Sequence, residues 1–82
     1  MIMTAEISMY PFDENYQSPI LGFIAELHTY KNLRIETYPT ATLVVGEYGE
    51  VMRMLTEMLK WSHDTYGKAV YVTKLIPGYD AE

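Results

Sequence analysis

An α+β sandwich is the fold class that the sequence predicts, on three observations. Two segments alternate apolar and polar residues with the period of a strand and two more are short apolar runs with strand-forming residues, while two others repeat apolar residues with the period of a helix. These segments follow one another as β-α-β-β-α-β, with short connections and no low-complexity stretch or internal repeat among them.

The first strand is read over residues 3–10, MTAEISMY, where Met3, Ala5, Ile7 and Met9 point one way and Thr4, Glu6, Ser8 and Tyr10 the other. It stops at Tyr10-Pro11, where proline removes a backbone donor and the acidic stretch FDENY follows. A helix from about 18 to 30 is predicted next. Ser18 is its expected N-cap, Pro19 falls in a first turn that tolerates proline, and Ile20, Phe23, Ile24 and Leu27 form its apolar stripe. LRIETY, with Leu33, Ile35 and Thr37 opposite Arg34, Glu36 and Tyr38, then forms a hairpin with ATLVVGEY across Pro39-Thr40. This third strand is apolar on both faces and is expected in the sheet interior, with Gly46 marking a bulge or a close contact. Its Leu43 and Val45 are assigned to the core side, and Thr42 and Val44 to the opposite side.

The second helix opens at Gly49-Glu50. It carries Val51, Met54, Leu55, Met58 and Leu59 in a stripe and ends near Tyr66-Gly67. Met52, Arg53 and Trp61 lie off that stripe. AVYVTKLIP is the last strand, and its inward set is undecided between Val70, Val72 and Tyr71, Thr73, Leu75. The closure that fits this order is a ferredoxin-like sandwich, in which two helices cover one face of a four-stranded antiparallel sheet and strands 1 and 3 are central. The face without helices is then expected to carry Glu6, Ser8, Tyr10, Arg34, Glu36, Tyr38, Thr42 and Val44. Hydroxyls and aromatics clustered on central strands point to a partner subunit or a ligand.

Composition narrows the function. A single domain of 82 residues buries only roughly 60–65% of its unfolded surface, so association is favourable. Six Lys and Arg against eleven Asp and Glu give a net charge of -5, which opposes contact with a nucleic-acid backbone and suits a neutral or cationic small molecule. Eight tyrosines suit an interface or an aromatic-ligand pocket. The absence of cysteine excludes disulfides, thiolate metal sites and a cysteine nucleophile. The start of the chain lacks a signal-peptide pattern, and no apolar run reaches the roughly 18–20 residues of a membrane helix, so a cytoplasmic protein without membrane insertion is expected.

Catalytic signals are weak. His28 and His63 lack the spacing of metal ligands, and no serine sits in a nucleophile elbow or at a recognisable offset from a histidine. Asp13 and Glu14 read as an exposed acidic loop before they read as an acid and base pair. No catalytic residue, metal or cofactor is therefore assigned, and an enzyme is not expected.

The stretches ISMYPFDENY, IETYPTATLVVGEYGEV and GKAVYVTKLIPG together resemble one repeat of the YkoF-like thiamin and hydroxymethylpyrimidine-binding family. The likeness runs from about residue 5 to 78. It is most specific at the Ser-x-Tyr-Pro strand end, the Glu-Thr and Thr-x-Thr hairpin, and the glycine and acidic residue before the second helix. The resemblance implies a non-enzymatic domain that binds thiamin or its pyrimidine precursor in vitamin salvage or transport. It implies a homodimer or homotetramer in place of a tandem pseudo-dimer. It further implies a ligand held by Ser8, Tyr10, Glu36, Tyr38, Thr40 and Thr42. The competing expectation is an oligomeric regulatory or assembly module that binds another metabolite or none.

Overall fold

In a computed structural model that describes residues 1–81, the chain forms β1 (Ile2–Pro11), α1 (Gln17–Leu27), β2 (Arg34–Tyr38), β3 (Ala41–Glu47), α2 (Tyr48–Tyr66) and β4 (Ala69–Pro77). The strands pair antiparallel in the order β2-β3-β1-β4, so β1 and β3 are central. This is the ferredoxin-like α+β fold. No helix among the described residues is long and apolar enough to cross a membrane.

Met3, Ala5 and Ile7 of β1 meet Phe23 and Leu27 of α1 and Val51, Met54 and Met58 of α2 in one buried core. In an antiparallel ladder, directly opposed residues share a face. Ala5 opposes Val44 and Ile7 opposes Thr42, so Val44 and Thr42 lie on the helix-covered side, while Leu43 and Val45 lie on the open side with Glu6 and Thr4. The parity assigned to β3 from sequence is thus reversed. Because β3 is apolar on both faces, its own alternation carries no choice, and only the pairing with β1 makes one. The same ladder resolves β4: Tyr71, Thr73 and Leu75 oppose the core positions Met9, Ile7 and Ala5, and Val70, Val72 and Ile76 face outward.

Two helix details also differ from expectation. α1 begins one residue before Ser18, with Tyr16 at the N-cap position and no side-chain cap, so Ser18 and Pro19 both lie inside the first turn. Proline is harmless there because the first four N–H groups of a helix have no intrahelical acceptor. The helix ends at Leu27, short of residue 30, and the turn that follows is tied by the Thr29 hydroxyl donating to the Glu26 carbonyl at 2.7 Å. α2 is capped by Glu47, whose carboxylate accepts from Gly49 N–H at 2.9 Å, and it closes at Gly67 with φ of 89°.

Polar contacts fasten the periphery. Tyr71 on β4 donates to the buried Ser62 hydroxyl of α2 at 2.5 Å, and its ring packs 5.6 Å from that of Phe23 on α1, so one side chain joins three elements. Tyr30 donates to Glu57, while Arg53 bridges Glu50 and Glu57 on α2. Desolvation, followed by the hydrogen bond to Glu57, pushes the Tyr30 phenol up to about 12. At the far end of the open sheet face, residues 78–81 cross β1. The Thr4 hydroxyl donates to the Tyr79 carbonyl and accepts from Ala81 N–H, and Arg34 holds Asp80 and the Ala81 carbonyl. Thr4 and its partner Val45 are consequently buried although they face away from the helices.

Gly46 marks a close contact: its ladder continues unbroken opposite Met3, and the side chain of Leu33 rests where a Cβ would stand, 2.4 Å from that position. Leu33 is itself buried in the core and has little room to retreat. Gly46→Ala is therefore expected to destabilise the fold by about 1–3 kcal/mol through overpacking. Thermal unfolding checks this, with a midpoint lowered by about 4–8 °C per kcal/mol.

Candidate functional site

β1 outruns its neighbour. Its ladder with β3 ends at the pair Ile7 and Thr42, whereas its ladder with β4 continues to Pro11 and Ala69. From Ser8 onward, the β3-facing edge of β1 has no strand partner. The β2–β3 hairpin turns away at Pro39-Thr40, and the middle of α1, through Ile20, Phe23 and Ile24, borders the gap. The result is a cavity of about 470 Å³ bounded by the end of β1, the hairpin tip and α1.

Its walls divide by chemistry. Ile7 and Met9 from β1 and Ile20, Phe23 and Ile24 from α1 form the apolar side. Ser8, Thr40 and Thr42 supply hydroxyls, and Tyr10, Tyr16 and Tyr38 supply phenol rings. Asp13, from the loop between β1 and α1, supplies a carboxylate. A second, shallower hollow of about 370 Å³ lies alongside and shares Tyr16, Ile20, Ile24, Tyr38 and Pro39 with the first.

Of the residues singled out from sequence, Ser8, Tyr10, Tyr38, Thr40 and Thr42 come together around this cavity. They approach from different sides of the sheet. Ser8, Tyr10 and Tyr38 belong to the open face, while Thr42, almost buried, belongs to the helix-covered face and reaches the cavity from its inner end. The expectation that Thr42 shares the open face with Ser8 and Tyr10 is corrected by the pairing of Ile7 with Thr42.

Glu36 is not brought to the cavity: it lies in the middle of β2 on the open face, with its Oε2 3.5 Å from Arg34 Nε. That oxygen is shielded from solvent and accepts no hydrogen bond, so the contact is an ion pair without directed geometry. Ser8 already has one partner. Its hydroxyl donates to the Thr40 carbonyl at 2.9 Å, which ties the overhanging strand to the hairpin tip and leaves its oxygen free to accept.

Sequence reasoning did not assign Asp13, Tyr16, Ile20, Phe23 or Ile24 to a site. The α1 residues read as core stripe, and Phe23 is indeed buried. Ile20 and Ile24 on the same stripe are only half-buried, because the sheet beneath them has ended. The signal that was available is the length mismatch between a long first strand and a hairpin that turns at Pro39-Thr40. Among the described residues, no group of three or more His, Asp or Glu side chains is placed to hold a metal ion.

Solved structures share this architecture. A Streptococcus pneumoniae protein aligns with a TM-score of 0.86 at 23% identity, over 96% of this chain and 89% of its own. A Thermotoga maritima protein named as a candidate thiamine biosynthesis/salvage protein aligns with a TM-score of 0.83 at 21% identity, over 92% of this chain and 82% of its own. A domain of unknown function, DUF77, from Bacillus cereus aligns with a TM-score of 0.75 at 15% identity, over 100% of this chain and 83% of its own. At these identities the likeness is one of fold. No family model matches the chain, and no curated protein matches it in sequence.

The hydrogen bond from Ser8 to Thr40 predicts a structural role for Ser8 that is separable from any ligand. Ser8→Ala is expected to cost about 0.5–1.5 kcal/mol of stability without ligand present, as for loss of one ordinary hydrogen bond. Chemical denaturation of the two proteins measures the difference.

Proposed function

We propose that the protein is a non-enzymatic binder of a small flat heteroaromatic, thiamin or its hydroxymethylpyrimidine precursor, in vitamin salvage or transport. The observation that carries the reading is the cavity at the end of β1. Its volume of about 470 Å³ falls within the roughly 300–1,000 Å³ common for small-molecule sites. Aliphatic side chains and the Phe23 ring line one side, and hydroxyls with an unpartnered strand edge line the other. A pyrimidine bearing ring nitrogens and an exocyclic amine needs this combination: an apolar slot for its faces and directed donors and acceptors for its edge.

Support also comes from the Thermotoga maritima neighbour, whose name refers to thiamine biosynthesis or salvage. The hydroxyls, phenol rings and single carboxylate among the lining residues are side chains suited to holding a ligand by stacking and hydrogen bonds.

We further propose that two copies of the chain pack through their open sheet faces. Val70, Val72 and Ile76 of β4 are 47%, 52% and 43% exposed there, and Val70 lies beside Tyr10 of β1, so the apolar surface runs along β4. The charges on that face already have partners within the chain, Arg34 with both Glu36 at 3.5 Å and Asp80 at 3.2 Å, and Lys74 with Glu6 at 3.8 Å. A second copy would therefore bury apolar area without stranding an unpaired charge.

Calorimetric titration with thiamin and with hydroxymethylpyrimidine tests the ligand reading. Saturable heat is expected, with affinity reduced about five- to thirtyfold by Tyr10→Ala, since loss of a stacking aromatic removes on the order of 1–2 kcal/mol. Absence of heat with either compound from folded protein would refute it. For the assembly, sedimentation equilibrium is expected to give the mass of two or four chains. Val72→Lys, which places a charge in the apolar face, is expected to shift the protein to monomer.

A further inference from the structure

Resting on the small-molecule reading above, we propose that the cavity selects its ligand by charge: Asp13, together with the rings of Tyr10, Tyr16 and Tyr38, recognises an organic cation. A heteroaromatic with a fixed positive charge is thereby preferred to its neutral isostere.

Two features of the lining converge on this. The first is the set of charges. Asp13 is the one charged side chain among the described residues that line the cavity, and none of these lining residues is Lys or Arg. An exposed loop carboxylate is ordinarily free to swing, but this one is held: Oδ1 accepts the Asn15 N–H at 2.9 Å, an Asx-type turn that fixes the side chain against its own backbone.

The second feature is the set of rings. Tyr10, Tyr16 and Tyr38 come from three separate segments, the end of β1, the start of α1 and the end of β2, and each is between 51% and 57% exposed. Exposed phenol rings present negative quadrupole faces, and several around one hollow form the kind of aromatic surround that attracts quaternary and heteroaromatic cations. A neutral ligand would gain from the same apolar contacts with the rings and nothing from the carboxylate. The preference is therefore attributable to charge and separable from binding as such.

The probes are thiamin, whose thiazolium carries a permanent positive charge, and deazathiamin, the isostere in which carbon replaces the charged ring nitrogen. Titrations of wild type, Asp13→Asn and Glu47→Gln separate the contributions. Glu47→Gln removes the same charge at the opposite end of β3 and serves as the control for net charge.

Wild type is expected to favour thiamin over deazathiamin by about five- to tenfold at low salt, the range of an exposed ion pair combined with a cation–π contact. Asp13→Asn is expected to reduce that preference by about threefold or more while leaving deazathiamin affinity unchanged, and added salt is expected to erode the wild-type preference. Glu47→Gln is expected to behave as wild type. Equal affinities in wild type would overturn the charge-selection proposal while leaving the small-molecule reading intact. The same holds if Asp13→Asn weakens both ligands alike, or if Glu47→Gln lowers the preference as much as Asp13→Asn does. If neither thiamin, deazathiamin nor hydroxymethylpyrimidine binds, both readings fail together.

Discussion

Everything in this fold hangs on the position of β1 between β3 and β4. Its ladder with β4 runs over Met3 to Pro11, and its ladder with β3 over Ile2 to Ile7. A slip of one residue in either would exchange the Met3, Ala5 and Ile7 set for the Thr4, Glu6 and Ser8 set beneath the helices, burying a carboxylate in place of three apolar side chains. The register is therefore strongly determined. Two consequences follow from it: the faces of β3 and β4 are assigned through it, and the four residues by which β1 exceeds β3 are left beside a gap. The cavity is the geometrical remainder of that mismatch, roofed by α1 because the helix begins only six residues after the strand ends.

Much of this was legible in the sequence. Element order, the central placement of β1 and β3, the alternation of β2 and the apolar stripe of α2 all express periodicities that the chain states openly. Where both faces of a strand are apolar, the periodicity is silent. Thr42, Leu43, Val44 and Val45 satisfy either parity, and Val70 to Leu75 nearly do, so their assignment needs the partner strand. The start of α1 was misread for another reason. Ser18 has the chemistry of a cap, but the backbone enters the helix earlier at Tyr16, and a local preference worth about 1 kcal/mol yields to the placement of the helix on the sheet.

The candidate site was half legible. Ser8, Tyr10, Tyr38, Thr40 and Thr42 were grouped as hydroxyls and phenols of the first three strands and the hairpin turn, and all five border the cavity. Glu36 was grouped with them through the Glu-Thr part of the resemblance and its place on the open face, and its position at mid-strand beside Arg34 removes it. Ile20 and Ile24 could not have been recognised, since an apolar residue at helical spacing looks the same whether a sheet or a hollow lies beneath it. Asp13 was read as an exposed loop acid, and its place in the lining of the same cavity as Tyr10, Tyr16 and Tyr38 is what makes it the basis of the charge-selection proposal.

The central claim is that the space left by the overhang of β1 is where a ligand sits. Amide chemical-shift mapping of isotope-labelled protein titrated with hydroxymethylpyrimidine tests it most directly. The account predicts that the shifts gather in residues 7–11, 16–24 and 38–42, the three segments that enclose the cavity. Shifts concentrated instead on residues 70–76 of β4 and on the middle of β3 would contradict it, because they would place the ligand on the open sheet face.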